Sequence, residues 1–217
     1  MEMSITLIII IITAIISISG FSNQNVIEKF IFYPPAVTND NQWYRFITCG
    51  FIHADYGHLI FNMLSLYFFG RYVESSLVDI FGESGTWLYI ILYLSALFVS
   101  LLPTYFKNKN NHNYRSLGAS GAVSAVIFAG LMIAPETEVF IFFIPIPIPG
   151  FIFAPLYLLI SAMMDRKGGS NINHSAHIWG AVYGLIFIIV AGRAIGYDAV
   201  GNGFERIKQY MQIRGWI

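Results

Sequence analysis

Apolar residues in this chain fall into long runs separated by short polar, glycine-marked or proline-marked segments. The runs cover about residues 5–18, 58–77, 86–106, 117–134, 149–164 and 176–195. A helix rises ~1.5 Å per residue and a hydrocarbon core is ~30 Å thick, so roughly 20 apolar residues suffice to cross it. The pattern predicts an all-α membrane protein with six spanning helices over residues 1–196 and a short interfacial or soluble tail over 197–217. The first run ends in small polar residues, as a signal peptide would. The segment before it holds Glu2 and no Lys or Arg, however, and that favours a retained first span.

The connections differ in character. Residues 21–57 are polar and aromatic, with Pro34-Pro35 and the turn cluster Asn39-Asp40-Asn41, and predict a long structured connection that cannot cross lipid. In residues 139–149, Pro145, Pro147 and Pro149 alternate with isoleucine; the missing N–H donors exclude a helix and predict an extended loop. Residues 165–171, with Gly168-Gly169, predict a mobile loop.

Composition agrees with the pattern. Apolar residues make up 56% of the chain, and charged residues 11%, against about 25% in an average soluble domain. Twelve basic residues balance twelve acidic ones, without the basic tail or patch that nucleic acid would need. Cys49 is the single cysteine, which excludes an internal disulfide framework and a multi-cysteine metal site. With six spans and a cytoplasmic amino terminus, Arg71, Arg193, Arg206, Lys208 and Arg214 are cytoplasmic. Lys29, Arg45, Lys107, Lys109, Arg115, Arg166 and Lys167 fall on the opposite side, against the positive-inside rule.

Polar groups within spans are costly and so draw attention. Ser120 sits in Gly118-Ala119-Ser120-Gly121, between residues too small to shield its hydroxyl. The plainer reading is that Gly118, Gly121, Ala122 and Ala125 form a helix-packing stripe with Ser120 as its polar member. His177 shifts that reading. Gly180 and Gly184 lie three and seven residues after it, on the same helical face, so the imidazole stands on a face suited to close helix contact. Against the fourth span, that face would bring Ser120 and His177 within hydrogen-bond reach as nucleophile and base. His58 and Asn62, four apart, share one face at the start of the second span and could donate to a developing oxyanion, or merely anchor the preceding loop. His174 and His177 have zinc-ligand spacing with His58 as a third candidate, but no carboxylate accompanies them as in His-Glu-x-x-His sites, and no metal is expected. Glu74 could hold a loop by accepting its backbone N–H groups.

These three motifs, in this order, resemble those of the rhomboid intramembrane serine proteases. The likeness runs from about Gln42 to Gly192, taking in Trp43 to Arg45, His53, Gly70 with Glu74, and Pro145-Ile146-Pro147. It implies a six-helix bundle with a serine–histidine dyad and no third acidic residue. Ser120 would be the nucleophile and His177 the base, with the Ser120 N–H and the side chains of His58 and Asn62 as the oxyanion hole. Arg45, Glu74, Gly118, Gly121, Gly180 and Gly184 would support that site.

The resemblance further implies a first loop packed sideways into the membrane, a segment 165–175 capping a water-filled cavity, and lateral substrate entry near the second and fifth spans. Ser120 would lie nearer the outer side, with both termini cytoplasmic, in the inner membrane if the cell is bacterial. The implied partners are transmembrane protein substrates and the bilayer, without a cofactor. Two positions depart from the family's pattern. Tyr44 separates Trp43 from Arg45, and Ser124 stands where an aromatic often stacks on the histidine, a role left to Tyr183 or Trp179. A non-catalytic rhomboid-like protein that binds clients would be expected to lack the serine or the histidine. A channel or transporter would carry more charged groups along its spans.

Overall fold

The computed structural model describes residues 4–141, 144–169 and 172–217. Residues 142–143 and 170–171, in the expected proline-rich and glycine-rich loops, lie outside the described residues. The chain is mostly helical. Helix α1 (Ile5–Ser22) turns Thr6, Thr13, Ser17 and Gly20 inward as one stripe and leaves Ile11, Ile12, Ile15 and Ile18 outward, as a helix bathed in lipid would.

The long first connection folds into short helices, α2 (Gln24–Phe30), α3 (Pro34–Asp40) and α4 (Arg45–Thr48), and a 3-10 turn over Cys49–Phe51. Pro34 opens α3, where its missing N–H costs nothing, and Asn41 closes it in the left-handed region at φ 56°. Phe32, Val37 and Phe46 pack with Leu101 and Tyr105 into a small separate core, with the Phe46 and Phe98 ring centroids 4.4 Å apart. Burial pushes the Cys49 thiol up to about 12, so it behaves as a small inert hydrophobe.

The second apolar run is α5 (Tyr56–Ser65), a π-helical turn over Leu66–Gly70, and α6 (Arg71–Phe81). The third is α7 (Ser84–Val99) and α8 (Leu102–Asn108), with Pro103 in the first turn of α8. Helix α9 (Ser120–Ile133) is buried on nearly every side. Its alanines 122, 125 and 129 pack in the main core with Tyr89, Leu92, Tyr93 and Ala96 of α7 and with Leu66, Val73 and Leu77. Helices α10 (Gly150–Lys167) and α11 (His174–Arg193) follow. Among the described residues three helical stretches are long and apolar enough to cross a membrane, Ile5–Ser22, Ser84–Asn108 and His174–Arg193, and Ser120–Ile133 is a shorter apolar helix.

One expectation needs correction. The chain is not all-α: strands β1 (Glu138–Ile141) and β2 (Ile144–Pro149) form an antiparallel hairpin, with Glu138 opposite Pro149 and Val139 opposite Ile148. Alternating prolines leave β2 poor in donors, which a two-stranded ribbon tolerates because one edge of each strand needs no partner. The tail, expected as a short interfacial or soluble segment, contains the helix α12 (Ala199–Ile213). It buries Ala199 and Gly203 and ties back through Arg206 Nε to the Glu136 carboxylate at 2.9 Å and through an Arg214–Glu138 ion pair.

Candidate active site

The N-termini of α5, α9 and α11 meet at one end of the bundle. Ser120 opens α9 two residues after Gly118, whose φ of +110° suits a residue without a side chain. A Cβ at Gly118 would also stand 2.6 Å from His58 Cε1, so the glycine lets the imidazole lie on the backbone beside Ser120. The Gly118 N–H donates to the Cys49 carbonyl at 2.9 Å, and the Ala119 N–H to His53 Nε2 at 3.4 Å. The next N–H groups belong to the first turn of α9 and lack a helical acceptor. The ladder starts with Val123 N–H donating to the Ala119 carbonyl at 3.0 Å. Ser120 therefore stands at the positive end of a helix dipole, among N–H donors that have no backbone acceptor among the described residues.

Helix α11 is started by Asn173, whose Oδ1 accepts from the Ala176 N–H and from Thr104 Oγ1, both at 3.1 Å. Its Nδ2 donates to Ser116 Oγ at 3.4 Å and so ties α11 to the segment leading into Ser120. Below this cap, α9 and α11 cross at backbone contact. A Cβ at Gly180 would overlap the Gly121 carbonyl, one at Gly184 the Ala125 carbonyl, and one at Gly121 the Ser100 hydroxyl. At that crossing Ser120 Oγ lies 2.7 Å from His177 Nε2.

The other polar groups join this centre unequally. His58 reaches Gly118, and its own N–H is capped by Asp55 Oδ1 at 2.7 Å. Asn62 is buried, and one of its amide hydrogens goes back to the His58 carbonyl at 2.9 Å. His53 is fully buried between Ala119 and Ser17, whose Oγ is 2.9 Å from His53 Nδ1. Burial, with the nearby His58 ring adding to it, pushes the His53 pKa down to about 3, so the ring is neutral and free to accept. The spacing of side chains gave no sign of Asp55, Ser17 or Asn173; an N-cap search for Asp or Asn at helix starts would have found Asp55 and Asn173.

A rhomboid-domain profile matches residues 40–194, which holds both Ser120 and His177. The chain belongs to the rhomboid family. It is 28% identical over 180 residues to RHOMBOID-like protein 12, mitochondrial, of Arabidopsis thaliana, covering 76% of this chain and 51% of that protein. It is 31% identical over 171 residues to the human presenilin-associated rhomboid-like protein, mitochondrial, covering 76% of this chain and 41% of the relative. The chain thus spans about half, or less, of the curated relatives it matches. The rhomboid family includes serine proteases, and membership with several apolar helices makes this chain a multi-pass integral membrane protein.

The remaining residues of this rhomboid-family chain lie around the centre. Arg45 is buried in the first loop, where it donates to the carbonyls of Glu28 at 2.8 Å and Ile31 at 2.7 Å and to Gln42 Oε1 at 2.6 Å. Glu74 is at the far end, where it accepts from the N–H groups of Ile5 at 2.7 Å and Thr6 at 3.1 Å and from the hydroxyls of Ser4 and Thr6. Gly70 lets Thr6 approach beside it. The His177 ring meets that of His174 edge-on, with 6.0 Å between centroids. Tyr183 instead bonds Ser95 at 2.6 Å, and Trp179 is half exposed. Ser124 meets the hydroxyl of Tyr157 from α10 at 3.2 Å.

Proposed function

We propose that this chain is an intramembrane serine endopeptidase that cleaves transmembrane segments of membrane proteins. The observation that carries this reading is the 2.7 Å approach of Ser120 Oγ to His177 Nε2 at the open start of α9. The Ser120 hydroxyl donates to Nε2 of the neutral imidazole. On attack, the Oγ–carbon bond forms while His177 takes the proton, and the carbonyl electron pair moves to oxygen. The Ser120 N–H, the His58 ring and the second amide hydrogen of Asn62 stabilise that oxyanion. Collapse breaks the C–N bond as His177 gives its proton to the leaving amine. Water then hydrolyses the acyl-enzyme with the same base. No metal or cofactor enters these steps.

In this reading six spans make up residues 1–196: α1, α5 with α6, α7 with α8, α9, α10 and α11. Residues 197–217 form the tail. Gly118, Gly121, Gly180 and Gly184 fix the dyad distance, Arg45 holds the first loop, and Glu74 anchors α1. Substrate enters laterally between α5 and α10, where backbone can unwind because the polar residues above it hold water. Ser120 lies toward the outer face with both termini cytoplasmic, in the inner membrane if the cell is bacterial.

Cleavage of a reconstituted single-span substrate tests the reading. The native chain is expected to cut it, Ser120→Ala and His177→Ala to abolish cleavage, and His58→Ala or Asn62→Ala to slow it by about 10²–10³. A folded native chain that binds but cuts no single-span substrate would favour client binding without catalysis.

A further inference from the structure

We infer that the basic rim above Ser120 and His177 recognises an acidic stretch of the substrate chain flanking its span, so that acidic juxtamembrane sequences are selected. The inference rests on the protease reading above and deepens it. A cavity of about 210 Å³ lies at the start of α11, one turn before His177, with Lys107, Asp165, Asn173 and His174 in its wall. His174 sits one turn before His177 with its ring against it. Its Nε2 is buried and has no hydrogen-bond partner among the described residues.

Lys107 lines this cavity, Lys109, Arg166 and Lys167 neighbour its lining residues Asn108 and Asp165 along the chain, and all four are exposed. Arg115 is held apart from them on the first loop, by the Phe32–Ser116 bridge and by stacking over Tyr33, 4.7 Å to the ring centroid, and there it shares a second cavity with Glu28. The carboxylates at this end are fewer, Glu28, Asp40, Asp55 and Asp165, and Asp55 is engaged in capping α5.

The pairing of charge is equally uneven. Among the described residues the two ion pairs, Arg206–Glu136 and Arg214–Glu138, both lie at the opposite end of the bundle, where Asp79, Glu83, Asp198 and Glu205 add further acid. Among the described residues the basic groups at the Ser120 end form no ion pair. A low-dielectric cleft rimmed by unpaired charge of one sign concentrates ligands of the other sign. The substrate segment leaving the bilayer beside Ser120 must pass this rim, so its charge decides how readily the scissile bond is presented.

The experiment uses the full chain in phosphatidylcholine vesicles and single-span substrates that are identical except for three Asp, three Ser or three Lys next to the span. At ~50 mM salt the acidic substrate is expected to be cut with a kcat/KM about tenfold above the basic one, a preference that mostly disappears at ~0.5 M salt. The variant Lys107→Glu/Lys109→Glu/Arg166→Glu/Lys167→Glu is expected to reverse the order. Labelling by an uncharged fluorophosphonate reports whether the variant keeps its site, and the salt dependence of the native chain needs no variant at all. Equal cleavage of acidic and basic substrates by a chain that labels overturns the inference and leaves the protease reading standing. Failure to label or to cut any substrate overturns both. A gain on adding phosphatidylglycerol, with substrates of either charge cut alike, would make the rim a lipid-headgroup site and also overturn the inference.

Discussion

His53 accepts the Ala119 N–H through Nε2 at 3.4 Å while its Nδ1 faces Ser17 Oγ at 2.9 Å. One tautomer satisfies both: Nδ1–H donates to Ser17, and the Ser17 hydroxyl donates onward to the Phe51 carbonyl at 2.9 Å. Helix α1, the end of the first loop and the turn before Ser120 are thereby joined through one neutral ring.

That ring makes stability depend on pH. The unfolded chain takes up a proton at about 6.5, whereas folded His53 refuses one down to about 3. Its contribution is full above pH 6.5 and declines as the pH falls below that value, by about 2 kcal/mol at pH 5. Thermal unfolding in detergent at pH 7.5 and 5 should show a decline that His53→Asn reduces. An unchanged decline in the variant would place the titration elsewhere.

The glycine contacts between α9 and α11 set the dyad distance, because a Cβ at Gly180 or Gly184 has carbonyl oxygens of α9 in its place. Gly180→Ala and Gly184→Val must push the helices apart, and a shift of ~1 Å is enough to cost about 10²-fold in rate. Cleavage assays on folded variants check this; near-native rates would show that the crossing has slack.

Glu74 acts at the other end. Four donors converge on its carboxylate at the start of α1, where negative charge also suits the helix dipole. Glu74→Gln is expected to lower stability by about 1–3 kcal/mol while fluorophosphonate labelling at low temperature stays near native. A stability equal to the native chain's would mean that water replaces the lost bonds.

The sequence was most legible where hydrophobic period and small residues coincide. Gly180 and Gly184 on the His177 face announce a close crossing, and the structure places Ser120 there. It was least legible where backbone breaks carry no compositional mark. The π turn over Leu66–Gly70 reads as ordinary apolar helix, and Pro34-Pro35 reads as a loop although a proline in first position starts a helix. The proline alternation before α10 correctly excludes helix, but strand pairing depends on a partner, Glu138–Ile141, that period alone does not identify. The capping role of Asp55 and the burial of His53 depend on contacts across the fold, as does the Ser124–Tyr157 bond.

The most direct test of the Ser120–His177 dyad is to label the purified protein with a fluorescent fluorophosphonate and map the adduct by mass spectrometry. A single adduct on Ser120 is expected, absent from Ser120→Ala and lost from folded His177→Ala. A folded native chain that stays unlabelled, or a His177→Ala chain that labels at the native rate, would contradict activation of Ser120 by His177.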